Sequence, residues 1–312
     1  MQTVPATDEC AACGAAEARE RFVGTDRLHG GGGAYPVAVC AACGSGTTQP
    51  RVEPADLAAF YPEEYGPYAE ADGAVTAMIS RAIRATQGAL ARRRFPLSVV
   101  TERAPGRGLD VGCGRGDLAG GFVDRGWRMT GVEPSADACT AAAARGVDAR
   151  QGTLDTVSLE PAAYDLAVFQ HSLEHTTEPL ADLERVGAAL APGGVVVITV
   201  PNFGGWQARR FGGRWYHLDL PRHRTHFTER GLRLLLDRAG LRVQRLATST
   251  SSVGLPATLQ YALAGRCLFP GGMGLRIASG LCVLTVPLAR LANRIGGGGD
   301  QLHVVATAGP AA

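Results

Sequence analysis

Three groups of residues in this 312-residue chain have types and spacing suited to chemistry. The first is Leu109-Asp110-Val111-Gly112-Cys113-Gly114-Arg115-Gly116, an apolar residue and an acid running into three alternating glycines, with Gly131-Val132-Glu133-Pro134 beginning 15 residues after the last of them. Glycines permit a tight turn and let a ligand approach the backbone. A helix opening near Gly116 offers unpaired amides to an anionic group. A dinucleotide turn needs Gly-x-Gly-x-x-Gly, and the third place falls on Asp117, so that pattern fails. An acid two residues before the first glycine repels a pyrophosphate and suits a ligand carrying an ammonium or sulfonium.

The second group is a pair of knuckles, Cys10-Ala11-Ala12-Cys13-Gly14 and Cys40-Ala41-Ala42-Cys43-Gly44. Each glycine lets the backbone turn so that amides face the sulfurs. Four thiolates are the set that Zn²⁺ binds tetrahedrally, and so short a segment has too little core to fold without a staple. A redox pair or an iron–sulfur site is the competing use. The remaining cysteines, Cys113, Cys139, Cys267 and Cys282, are scattered.

The third group holds five of the seven histidines, His171 and His175 in one stretch and His217, His223 and His226 in another. An imidazole with an unperturbed pKa of ~6.5 suits proton removal near neutrality. His171, Glu174 and His175 are spaced i, i+3, i+4, which brings all three to one face of a helical turn and makes a divalent metal site one reading. Glu174 and His175 orienting the loop and capping the next helix is the other. Arg222 and Arg224 either grip an anionic substrate or form a solvated surface.

The elements that must position these groups follow from periodicity. Strands are expected near 107–111, 128–133, 147–150, 164–169, 194–200, 241–248 and 301–308, alternating at first with helices near 116–125, 135–145, 179–191 and 228–239. Leu180, Leu183, Val186 and Leu190 recur at helical spacing, and Ala191-Pro192-Gly193-Gly194 ends that helix. The apolar run Val195–Val200 suits a central parallel strand covered on both faces. Gly30 to Gly33 reads as part of a hairpin and loop between the two knuckles. Residues 1–50 are thus a zinc ribbon, 51–104 a linker and helical lid with an arginine-rich helix at 75–94, and 105–312 an α/β domain interrupted by an apolar insertion at 249–300. Within the insertion, Ile277 to Ala289 is apolar between Arg276 and Arg290, yet too short to span a bilayer. A helical cap over substrate, a contact with a membrane or lipid-like substrate through 253–292, and an oligomer interface are its three readings.

All 31 basic residues are arginine, against 29 acids, for a formal charge of +2. That balance argues against a broad nucleic-acid surface. The N-terminal residues lack the basic and apolar regions of a signal peptide, so a cytoplasmic protein is expected, and no oligomeric state is assigned.

The turn at Asp110–Gly116 with Glu133 at the next strand end resembles motif I of the class I S-adenosylmethionine-dependent methyltransferases. The resemblance covers about 105–248 and the last strand. It implies a Rossmann-like seven-stranded α/β sheet with S-adenosyl-L-methionine held by Asp110, Gly112, Cys113, Gly114, Glu133 and Pro134. Gly152, Thr153 and Leu154 then pass near the adenine, and Gln170 and His171 border the donor sulfur. The segment Tyr61-Pro62-Glu63-Glu64-Tyr65 resembles one that closes over the cofactor in ribbon-bearing methyltransferases, which places Tyr65 there. Pro221-Arg222-His223-Arg224-Thr225-His226-Phe227 is similar to a segment expected to fold over the active site. His171 is then the first candidate base, with His223 and His226 behind it. In the ubiquinone-pathway O-methyltransferases, which look similar at 171–175, a first glutamate stands where this chain has His171. The reaction implied is methyl transfer to a small molecule such as a sugar, natural product or quinone- or lipid-like metabolite, oxygen preferred over carbon. An RNA methyltransferase with an RNA-holding ribbon and a non-catalytic binding protein are the alternatives.

Overall fold

The structure is a computed structural model, and it describes residues 3–4, 9–16, 18–30, 32–52, 60, 102–251, 253–266 and 286–309. Tyr65, the helix expected at 75–94 and the apolar run over 277–285 lie outside the described residues.

The N-terminal part is built from short strands. β1 (Thr3–Val4) pairs with β5 (Arg51–Val52), while β2 (Ala18–Gly24), β3 (Tyr35–Cys40) and β4 (Gly46–Thr48) form an antiparallel meander. The glycine stretch at 30–33 joins β2 to β3, as the hairpin reading requires.

The larger sheet has β6 (Arg107–Val111), β7 (Arg128–Glu133), β8 (Asp148–Gln151), β9 (Tyr164–Gln170), β10 (Leu190–Pro201), β12 (Leu241–Ser249) and β13 (Gln301–Ala308). Their order is β12-β13-β10-β9-β6-β7-β8, with β13 antiparallel to both neighbours and the rest parallel. The expected seven-stranded sheet is therefore present. The chain leaves β6 towards β7 and β8, then returns to β9 on the other side, so a switch point lies at the carboxyl ends of β6 and β9.

Period-two alternation sorts the strand side chains onto two cores. Ala167, Phe169, Val196, Ile198 and Val200 face one, with Leu183, Val186, Leu232 and Leu235 from helices α3 (Pro179–Ala189) and α5 (Glu229–Arg238). Leu166, Val168, Val195 and Val197 face the other, with Ala119, Phe122 and Ala142 from α1 (Asp117–Val123) and α2 (Ala136–Ala143). β10 departs from expectation in two ways. It is parallel to β9 only, because β13 lies antiparallel on its other edge. It also begins at Leu190, since α3 stops at Ala189, and residues 191–194 form an irregularity between the Leu190–Tyr164 and Val195–Leu166 pairs. Pro192 brings no amide to a ladder, and a Cβ at Gly194 would lie 2.7 Å from the Tyr164 carbonyl oxygen.

The two sheets are joined by β11 (Thr225–His226), which leaves the α/β part and pairs antiparallel with β4. Beside this strand Arg222, fully buried, donates to both Asp26 carboxylate oxygens at 2.9 and 3.0 Å, to Asp219 at 2.6 and 3.0 Å and to the Phe60 carbonyl at 3.0 Å. Neither reading of Arg222 from the sequence holds: it is not solvated, and its guanidinium is committed to protein acids. Arg224 is buried too, giving one N–H to the Val52 carbonyl at 2.7 Å. The insertion between β12 and β13 contributes α6 (Gly254–Ala264) and α7 (Val286–Ile295), which pack near α4 (Trp206–Phe211). Thr258 accepts from the Tyr216 amide at 3.1 Å, and Asn293 accepts from Trp206 Nε1 at 2.6 Å. Among the described residues no helix is long and apolar enough to cross a membrane.

Removing one partner of a buried ion pair strands the others without compensation, at about 3–5 kcal/mol. Arg222→Ala is therefore expected to lower urea-unfolding stability by about that amount at pH 7, with Asp26→Asn/Arg222→Met recovering part of it; a single-variant loss below about 1 kcal/mol would contradict the role given to this residue.

Candidate active site and cysteine cluster

At the carboxyl end of β6 the chain turns through Gly112, Gly114 and Gly116, all at positive φ. A Cβ on Gly112 would sit 2.7 Å from the Ser172 Cβ, so only glycine lets the loop after β9 close against this turn. Beside Gly114 there is open space within 4 Å of where a Cβ would stand. Glu133, buried at the end of β7, accepts the Gly114 amide at 3.0 Å through one oxygen and the Ser135 amide at 3.0 Å through the other. It thus braces the turn while retaining further lone pairs. Asp110 is buried beside it, and burial first, then the Glu133 charge, pushes its carboxyl up to about 7. Burial likewise raises the Cys113 thiol. Gly152 bonds to the Glu133 carbonyl at 3.0 Å, which brings Gly152-Thr153-Leu154 alongside. Thr153 donates to Asp155, holding that carboxyl below its usual value. Open space beside Gly114, with Glu133 on the Gly114 amide and a second buried acid, Asp110, two residues before Gly112, suits a cationic, hydroxyl-bearing ligand.

The loop after β9 faces this space from the other side of the switch point. His171 adopts φ 54°, left-handed for a non-glycine residue, with its amide on the Thr199 carbonyl at 2.9 Å. Its ring is oriented by a chain of hydrogen bonds. Ser249 gives its hydroxyl proton to Gln301 Oε1 at 3.1 Å, and the Gln301 amide donates to His171 Nε2 at 3.1 Å. His171 Nε2 is then the acceptor and Nδ1 carries the proton, directed at Glu174 Oε1 3.4 Å away. His303, with its pKa lowered to about 4 by burial, completes the chain by donating Nε2–H to Ser249 at 2.6 Å and accepting from Thr199 at 3.0 Å.

Glu174 sits on a short 3₁₀ turn, Leu173–His175, and is buried with no hydrogen bond to either carboxylate oxygen. Two imidazoles turn towards it. His175 uses Nδ1 on the Arg222 carbonyl at 3.1 Å, and His223 uses Nδ1 on the His217 carbonyl at 2.9 Å. His223 brings Nε2 to 3.9 Å from Glu174 Oε1, and one ligand atom from each of Glu174, His175 and His223 lies within 4.8 Å of the others. Burial, then the neighbouring His175 and His226, lowers the His223 pKa well below its ordinary value, so the ring is neutral. The metal-like grouping thus has His223 where the sequence spacing suggested His171. His226 faces elsewhere. Thr48 spends its proton on the His223 carbonyl at 2.6 Å, so it accepts from His226 Nε2–H at 2.9 Å, and burial takes that imidazole down to about 3.

The cysteine knuckles have matching backbones: the Gly14 and Gly44 amides bond to the Cys10 and Cys40 carbonyls at 2.8 and 2.9 Å. The Cys10–Cys43 and Cys13–Cys40 sulfurs are 3.6 Å apart, and all four lie within 4.8 Å of one another. A disulfide would need ~2.05 Å, whereas Zn–S bonds of ~2.3 Å give tetrahedral S–S edges of about 3.8 Å. The bond between Cys10 and Cys43 lowers the Cys43 thiol and raises that of Cys10, so one thiolate of the pair is favoured. The second knuckle is tied to the α/β part by Thr228, which caps α5 through the Gly231 amide at 3.0 Å and donates to the Cys43 carbonyl at 2.7 Å.

Residues 82–246 match a family model described as a methyltransferase domain. The chain belongs to this methyltransferase family. Its sheet order, with glycine turn and paired strand-end acids at the switch point, is that of the class I S-adenosylmethionine-dependent members. It is similar to the ubiquinone biosynthesis O-methyltransferase of Marinobacter nauticus, 31% identical over 34% of this chain and 50% of that protein. The corresponding protein of a Bradyrhizobium species is 36% identical over 31% of this chain and 40% of its own length. The chain thus spans half or less of the length of these curated relatives. A solved complex between a Haloferax volcanii methyltransferase activator and a methyltransferase contains a chain of the same fold, at 18% identity and a TM-score of 0.50, covering 77% of this chain and 96% of that one.

Sequence reasoning did not find Gln301, Ser249, Thr48 or Thr228. Each reaches its partner across 50 or more residues of chain, and only the antiparallel β13 and the β4–β11 pairing bring them near. Elemental analysis is expected to find one tightly held zinc per chain at the cysteine cluster, lost in Cys10→Ser; a metal-free native protein with all four thiols titratable would refute a metal centre there.

Proposed function

We propose that this protein transfers the methyl group of S-adenosyl-L-methionine to an oxygen atom of a small molecule, with the cysteine cluster holding a structural zinc. The observation that carries the proposal is the pair of buried acids, Asp110 and Glu133, at adjacent strand ends around a glycine turn with open space beside Gly114. In this reading Glu133 accepts ribose hydroxyls, Asp110 attracts the cationic methionine end, and the backbone at Gly112–Gly114 lines the cofactor. Gly152 to Leu154 lie towards its adenine. The bound cofactor supplies an already activated methyl on a sulfonium, so the protein's work is alignment and removal of the acceptor's proton. His171 takes that proton at Nε2, the acceptor hydroxyl replacing the Gln301 amide there. The imidazolium so formed is stabilised by the Glu174 carboxylate at Nδ1. The curated relatives' names favour oxygen over carbon and a phenol- or quinone-like acceptor. The near-balanced charge stands against an RNA substrate.

A second reading gives Glu174 to a divalent metal. It is favoured by the two unbonded carboxylate oxygens and by two histidines whose far nitrogens bond to main-chain carbonyls, the outer-shell pattern of metal-ligating imidazole. Two nitrogens and one carboxylate suit Zn²⁺, Fe²⁺ or Mn²⁺ better than Mg²⁺. Such an ion would polarise the acceptor oxygen, with Glu174, His175 and His223 as its ligands.

Asp110→Ala and Glu133→Ala are each expected to weaken S-adenosylhomocysteine or cofactor binding about tenfold or more, the loss of charged hydrogen bonds of ~1.5–3 kcal/mol. Because the free Asp110 carboxyl is half protonated at about 7 and a sulfonium favours its anion, cofactor affinity should rise as pH climbs through that value and level off above it. Titration calorimetry in two buffers would reveal the released proton; pH-independent affinity between about 6 and 8 would exclude Asp110 as the cation's partner.

His171→Ala is expected to spare cofactor binding and cut turnover by about 10²–10⁴. Glu174→Gln separates the two readings: it lowers turnover with unchanged metal content if Glu174 serves His171, and abolishes a second, non-zinc-ribbon metal if it is a ligand. Full activity in both variants would sink the catalytic assignment.

A further inference from the structure

The insertion between β12 and β13 turns its helices the unusual way round. α7 buries Ala289 and the polar Asn293 against the protein, where Asn293 accepts from Trp206 and Gln207 and donates to Thr250 at 2.9 Å. Its leucine face points outward: Leu288 is 65%, Leu291 55% and Ile295 78% exposed. These positions recur at i, i+3 and i+7, so they form one continuous stripe rather than scattered exposures. α6 shows leucines as well: Leu259 is exposed and Leu263 is 88% exposed, while Leu255, Thr258 and Tyr261 are buried. A helix such as α7, which packs through Ala289 and Asn293 and shows its leucines, is not explained by the core of the described residues.

Charge says what would cover it. From Thr250 to Gly299 the sequence has no aspartate or glutamate, and four arginines: Arg266, Arg276, Arg290 and Arg294. Arg290 and Arg294, a helical turn apart, run along one edge of the α7 stripe, and Arg266 follows the exposed end of α6; all three are exposed. The rest of the chain must then carry net negative charge, since the whole is only +2. A second copy of this chain laid face to face would set arginine against arginine. The sequence of residues 267–285, outside the described residues, contains Arg276 and no acid. An anionic bilayer surface meets both demands, taking up the leucines below the headgroups and the guanidiniums among the phosphates, with the arginine stems lying along the apolar zone.

We propose that the exposed faces of α6 and α7 dock this protein onto anionic phospholipid membranes as a peripheral, non-spanning contact. The contact is independent of methyl transfer and would survive failure of that reading. It has a geometric bearing on it all the same. Thr258 and Tyr261, on the inner side of α6, pack on Tyr216, and the adjoining His217 carbonyl holds the His223 ring, so the docked face lies directly behind the histidine cluster.

The full-length protein is to be tested by flotation with vesicles of phosphatidylglycerol and phosphatidylcholine at low salt. Co-flotation with the mixed vesicles, falling with added salt and at least about tenfold weaker on pure phosphatidylcholine, is expected. Leu288→Glu/Leu291→Glu, at positions already in solvent, should weaken binding about tenfold or more while S-adenosylhomocysteine affinity and the thermal midpoint hold. Arg290→Gln/Arg294→Gln should lessen the salt dependence. Absence of wild-type co-flotation overturns the proposal, as does binding indifferent to the leucine pair. Sedimentation showing a dimer that the leucine variant dissolves would also overturn it, in favour of a second copy on this face.

Discussion

The pairing of Thr225 and His226 with Thr47 and Gly46 is short, yet the placement of the histidine segment hangs on it. These hydrogen bonds carry the segment 215–228 out of the α/β sheet and fix it to the N-terminal meander. Around them Thr48 bridges two histidines, Thr228 joins a helix cap to a cysteine knuckle, and Arg222 neutralises one acid from each side. None of these contacts touches the glycine turn. The molecule therefore has one part, within 107–171, that carries the proposed donor site, and another, proposed to face the acceptor, that exists only where two distant stretches of chain meet.

That division also explains what could be read in advance. The first part is local. A five-residue strand, an alternating glycine turn and an acid at the end of the next strand announce themselves by spacing, and the period-two and helical patterns place the strands around them. β10 could be recognised from its valines, but not the antiparallel neighbour on its far edge, because a continuous apolar run signals only that both faces are covered. The second part is non-local. Arg222 and Asp26 are separated by 196 residues. His223 and His226 are three apart and look equivalent in sequence, whereas in the fold one turns to Glu174 and the other to Thr48. Gln301 carries no signal of its own; it matters through the register of β13 beside β10 and β12.

Glu174 shows how far burial alone can sharpen a question. A carboxylate without hydrogen bonds in the interior is costly, and one within reach of three imidazoles invites either a proton or a metal ion as its counter-charge. Both proposed mechanisms answer the same electrostatic demand. They differ in whether His171 or a cation satisfies it.

The tie between the Cys43 carbonyl and Thr228 has a bearing on how the chain would fail. If the knuckles hold the proposed zinc, its loss would take the staple from the meander, and with it the strand that β11 leans on. The glycine turn and its acids, built wholly within the larger sheet, have no such dependence. On the proposed reading, loss of the metal would then separate two properties of one chain, leaving the donor turn intact while the acceptor side came apart.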